Sequence, residues 1–215
     1  MKTLSLLVVT LILTLGTELR AQNEEAYQKA METAIDQFDQ VKDAASLQVC
    51  KNTFERIAAS YPERWLPVYY SAYLNTELVY WEMKSEQNSR RLEAAENYLK
   101  QLDELKDADR SEVANLWGYF YMCRISQDPE NLGQQFYQPT VTKFEEAMRL
   151  NPANPRPVIL LAFFEQNLPP FLQSKRNRAE EKQKAEELFN REQKSYSAPY
   201  WGKYFLQMIT ISENQ

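Results

Sequence analysis

An all-α chain of stacked antiparallel helix hairpins is what the sequence predicts, and three observations predict it. Glycine is scarce, 4 in 215 residues, while Ala, Glu, Gln, Lys and Leu abound, a mixture that helices tolerate and tight-turned strands do not. Apolar residues recur at three- and four-residue spacing along most of the chain. The same stop signal also appears twice: Phe144, Ala147 and Pro152 repeat the spacing of Phe54, Ile57 and Pro62, the mark of an internal repeat.

The elements follow in order. Leu4 to Leu15 is an apolar run behind Lys2, too short for a membrane span and suited to a secretory leader over residues 1–21, with cleavage near Ala21. No cysteine follows it, so a lipoprotein anchor is not expected. The expected mature chain, residues 22–215, is one domain in a periplasmic or secreted setting, with no stable membrane anchor. Glu24 to Asp43 carries Tyr27, Met31, Ile35 and Phe38 on one stripe, and Ala45 to Ala59 carries Leu47, Cys50, Phe54 and Ile57. Ser60 and Glu63 have capping-box spacing for the next helix, Trp65 to about Met83, which is apolar on more than one face.

Its expected partner is Arg90 to Leu105, and Asp109 with Glu112 caps a second all-round apolar helix, Val113 to Ile125. Asp128 to Gly133 reads as a loop with at most a short turn before Pro139, and Thr142 with Glu145 reads as the cap of a helix ending at Leu150. Asn154 as N-cap and Pro155 at the first helical position open the next helix, which Pro169-Pro170 stops. The interleaved charges of Lys175 to Lys184 form a solvated helix face, with Ala185, Leu188 and Phe189 inward. Ser197 and Pro199 introduce a capping helix over about 200–211, carrying Trp201, Tyr204, Phe205 and Met208.

Composition excludes several chemistries. The chain has no histidine, which removes His-based triads and the commonest metal ligand. Without residues 1–21 the charged residues number 23 basic and 29 acidic, a net charge of −6, which argues against nucleic acid as a partner. Unclustered glycines leave no phosphate cradle. Paired carboxylates such as Glu145-Glu146, Glu180-Glu181 and Glu186-Glu187 belong to solvated helix faces. No catalytic residue, no cofactor and no metal site is expected, and the protein is read as a non-enzyme. Cys50 and Cys123, each in an apolar helical setting, are read as buried free thiols in preference to a disulfide.

Overlaid, the hairpins form units at about 27–62, 64–108, 110–152 and 155–199. Ala114, Trp117, Gly118 and Tyr121, then Thr140, Phe144, Ala147 and Pro152, fall on the pattern W-x2-L-G-x2-Y…A-x3-F-x2-A-x4-P. Ala94 with Tyr98, and Ala185 with Phe189, answer for two further units. In these residues the chain resembles the tetratricopeptide repeat, with units nearer roughly 45 residues than the family's 34.

The resemblance implies a short right-handed α-solenoid whose concave face is lined by the first helix of each pair. Carried onto this sequence, those positions are Tyr69, Tyr73, Thr76 and Glu77, then Asn115, Tyr119 and Met122, then Ile159, Phe163, Gln166 and Asn167. It also implies a function: binding another protein or peptide in that aromatic-lined groove, through an internal segment because no lysine clamp is present. A small apolar or glycan ligand in an aromatic cavity is the alternative. An open concave face favours the first and a closed pocket the second.

Overall fold

The computed structural model describes residues 21–211, so the leader expected over residues 1–21 lies, but for Ala21, outside the described residues. Eight α-helices make up the described chain: α1 over 21–38, α2 (Ala44–Ser60), α3 (Trp65–Trp81), α4 (Asn88–Glu104), α5 (Arg110–Gln127), α6 (Pro129–Leu150), α7 (Pro155–Gln166) and α8 (Arg178–Phe189). No strand occurs among the described residues. Helices pair in chain order, α2 on α3, α3 on α4, α5 on α6 and α7 on α8, while α3, α5 and α7 lie side by side.

Local chemistry sets most boundaries. Asp43 accepts from the Ser46 amide at 2.7 Å while the Ser46 hydroxyl accepts from the Asp43 amide at 3.2 Å, a reciprocal cap on α2. Asp109 caps α5 through Ser111 and Glu112, and Asn154 caps α7 with Pro155 at its first position, as the sequence predicts. The box expected from Ser60 and Glu63 does not form. Arg64 opens α3 without a side-chain cap, its own amide bonded to Tyr61 O at 3.0 Å, and Pro67 removes one of the amides that a cap would have to satisfy.

Two segments depart from expectation. Residues 128–150 form no loop with a late cap at Thr142: Asp128 caps a 22-residue helix with Pro129 at its first position, and that helix continues through Pro139. Immediately after it, Thr140 is buried and its hydroxyl back-bonds to Phe136 O at 2.7 Å. The C-terminal capping helix is also absent. After Pro199 the chain turns at Gly202, whose φ of 96° is left-handed, into a 3-10 segment, Lys203–Met208.

One hydrophobic cluster runs from Met31 to Ile209. Every residue from Leu66 to Val79 on α3 is buried, the coverage its unpatterned apolarity demands. At Gly118 α5 lies close against α6: a Cβ there would come within 2.8 Å of the Phe144 ring. Cys50 and Cys123 are free and buried, and burial alone pushes the Cys50 thiol up to about 12.

Candidate functional site: a filled groove and the apolar pocket beside it

The faces of α3, α5 and α7 that the repeat register turns inward do come together, but as a groove already occupied. Residues 199–210 run along it. Trp201 stacks on Tyr73 at 4.0 Å between ring centroids and donates from Nε1 to the Tyr69 hydroxyl at 2.8 Å. The Tyr200 amide donates to the Tyr70 hydroxyl at 3.0 Å. Phe205 packs on Tyr119 and Phe163, and the Tyr204 hydroxyl donates to Glu77 Oε1 at 2.6 Å. At the far end Gln166 clasps the segment twice, donating to Met208 O at 2.9 Å and accepting from the Thr210 amide at 3.1 Å.

The expectation of an open binding groove is therefore corrected. Tyr69, Tyr73, Thr76, Glu77, Asn115, Tyr119 and Ile159 are all buried, at 1% exposure or less, and Tyr69, Tyr73, Glu77 and Tyr119 contact the chain's own C-terminal segment. Met122, Phe163 and Asn167 border a separate cavity, and Gln166 holds the segment's end. The physical reason is amphipathy: Trp201, Tyr204, Phe205 and Met208 recur at three- and four-residue spacing, so the segment presents an apolar edge matching the aromatic groove in cis.

Two buried carboxylates anchor this arrangement. Glu77 has no cation beside it; it accepts from the Tyr119 hydroxyl at 2.5 Å, from Tyr204 and from Trp81 Nε1 at 2.6 Å. Burial pushes its carboxyl above the ordinary value, and these donors pull part of the way back. Glu112 accepts from Tyr69 at 2.7 Å and from Asn154 and Arg156 at 3.0 and 3.1 Å. Burial opposes the charge on Arg156, but Glu112, Tyr69 and Glu192 outweigh it and raise the guanidinium pKa; Arg156 also donates to Pro199 O at 2.8 Å. Both carboxylates are committed to holding the fold. Asn115, buried three residues after Glu112 on α5, has neither side-chain polar atom paired.

Beyond the end of the segment the same three helices border a partly enclosed pocket of about 780 Å³, within the ~300–1,000 Å³ typical of small-molecule sites. Tyr80 comes from the end of α3 and Met83 from the turn after it, Met122, Cys123, Ile125 and Ser126 from α5, and Phe163, Phe164 and Asn167 from the end of α7. Pro129, Gly133, Gln134 and Tyr137 of α6 supply another wall, and Leu168, Pro169 and Leu172 close it. No Asp, Glu, Lys or Arg is among these residues, so the wall offers no ionic contact. The Cys123 thiol is held well above its ordinary pKa by burial and by Glu77, and stays protonated. The Tyr80 phenol is likewise raised by burial, and its hydroxyl reaches Met208 Sδ at 3.4 Å.

Among the described residues no group of three or more acidic, Cys or His side chains is placed to hold a metal ion, and no helix is long and apolar enough to cross a membrane. Sequence reasoning reached Met122, Phe163 and Asn167 of this pocket but missed its α6 wall. The signal was present in Asp128-Pro129, the same cap-and-proline pair that marks Asn154-Pro155.

No protein-family model and no curated protein matches the chain. One solved structure does: the HusA haemophore from Porphyromonas gingivalis, at a TM-score of 0.70 and 23% identity, over 86% of this chain and 90% of that one. At that identity the likeness concerns the fold, an all-helical arrangement of sequentially paired helices shared by the two proteins.

Proposed function

We propose that this is an exported, non-catalytic binding protein that carries a large, rigid, mostly apolar ring compound of the tetrapyrrole class in the pocket between the ends of α3, α5 and α7 and the start of α6. The single observation that carries the reading is the pocket itself: about 780 Å³, uncharged, and walled by Tyr80, Tyr137, Phe163 and Phe164. A solved structure of the same fold is that of a haemophore, which lends weight to the ligand class. The peptide-binding alternative needs a groove that residues 199–210 already fill.

The hairpins follow a tetratricopeptide-like register, supported by the Gly118–Phe144 contact and by the side-by-side first helices. The uncharged wall holds the ring by apolar contact and stacking, and leaves acidic substituents to the mouth. Ser126, Gln134 and Asn167 are the hydroxyl and amide side chains among the lining residues. With no histidine in the chain, the Met83 and Met122 thioethers, the Cys123 thiol and the Tyr80 and Tyr137 phenols are the lining groups that could face a metal carried in such a ring.

Titration with protoporphyrin IX and with its iron complex, followed by ring absorbance and tryptophan quenching, tests the reading. The expected result is saturable one-to-one binding of both compounds. Absence of saturable binding for either would overturn it.

A further inference from the structure

Three glycines fall among the described residues, and two have a reason inside the protein. At Gly118 a Cβ would meet the Phe144 ring at 2.8 Å, and Gly202 sits at φ 96°. Gly133 has neither constraint. It lies within α6 in ordinary helical conformation, and a Cβ built there meets nothing within 4 Å. Glycine in a helix interior costs stability relative to alanine, so folding gains nothing from it.

Its place in the helix supplies the missing reason. Pro129, Gly133 and Tyr137 are spaced by four, which puts them in one row along α6, and all three line the pocket. The row therefore reads ring, bare backbone, ring, with the gap opening on the cavity. We propose that Gly133 is a specificity-determining residue: it lets a rigid, flat ring lie directly against the α6 backbone, where any side chain would hold the ring off. A flexible chain could bend round such a side chain; a rigid ring cannot. The inference rests on the ligand reading above and names the position that would select ligand shape.

The experiment compares wild type with Gly133→Ala and Gly133→Leu, using protoporphyrin IX as the rigid probe and dodecanoate as the flexible one, with thermal melting of each free protein. Both variants should stay fully helical by circular dichroism, and Gly133→Ala should melt about 2 °C higher, because the added methyl touches nothing. Protoporphyrin affinity should fall by about tenfold or more in Gly133→Leu, and dodecanoate affinity by less than about twofold. Unchanged protoporphyrin binding by Gly133→Leu would overturn the role of Gly133 and leave the pocket reading standing. An equal loss for both probes would overturn selection by shape. Wild type that takes dodecanoate and refuses protoporphyrin would overturn the rigid-ligand class, and wild type that binds neither would remove the pocket reading together with this inference.

Discussion

The bodies of α3, α5 and α7 and their C-terminal ends carry the same kinds of side chain, yet meet different fates. Along the bodies, Trp201 and Phe205 cover Tyr69, Tyr73 and Tyr119, and hydrogen bonds tie Tyr119 to Glu77 and Tyr69 to Glu112. At the ends, Tyr80, Met122 and Phe163 face a cavity. The difference lies in what the described C-terminal residues cover: Gln166 fastens them at Met208 and Thr210, one turn past Phe163, whereas the cavity is lined by the ends of α3, α5 and α7 and the start of α6. Aromatic residues thus mark structure where the chain supplies its own partner and line a cavity where it does not.

This contrast is most exposed to test at Trp201. Replacing it with alanine removes the ring stacked on Tyr73 and leaves the Tyr69 hydroxyl without its indole donor, so the expected loss is about 3–5 kcal/mol by urea denaturation. A loss under about 1 kcal/mol would mean that the segment is a loosely held strap and that the groove is available to partners after all.

Glu77→Gln should cost less, about 1–3 kcal/mol near pH 5, because an amide cannot accept at both ends from Tyr119, Tyr204 and Trp81. The direction with pH sharpens the test. The groups around Glu77, namely Tyr73, Tyr119, Tyr204 and Cys123, stay neutral across this range because burial raises each of their pKa values. Since the folded-state pKa of Glu77 lies above its ordinary value of 4.5, the native state holds the proton more tightly than the unfolded chain. Its contribution is complete below 4.5 and is lost as pH rises through the folded value. The stability gap between wild type and Glu77→Gln should therefore narrow between pH 4.5 and 8; a gap that widens would contradict the desolvated setting assigned to this carboxylate.

On the pocket side the expected stability effect is the smallest. Tyr137 is half-buried, its hydroxyl donating to Leu172 O at 3.1 Å, and alanine there should shift stability by about 1 kcal/mol or less while weakening protoporphyrin IX about tenfold. A variant that loses stability and keeps full affinity would reverse the assignment of the two regions.

Sequence alone determined the helical class, most helix boundaries and the faces that meet. Those properties follow from local causes: spacing of apolar residues, caps at Asp109 and Asn154, and the small residue at Gly118. The same local signals were present at Asp128-Pro129, but Pro139 eleven residues into the helix outweighed them in a reading by pattern. A long helix carries an internal proline when tertiary packing holds it, as burial of Phe136, Thr140 and Phe144 does on either side. Only the tertiary structure decided that the aromatic groove is filled, because nothing local tells Trp201 and Phe205 that their partners lie more than 100 residues earlier or on a neighbouring hairpin. It also decided that Glu77, read from the sequence as a groove position, and Glu112, read as a capping partner of Asp109, are core residues, since burial depends on which helices surround them and no periodicity within their own helix records that.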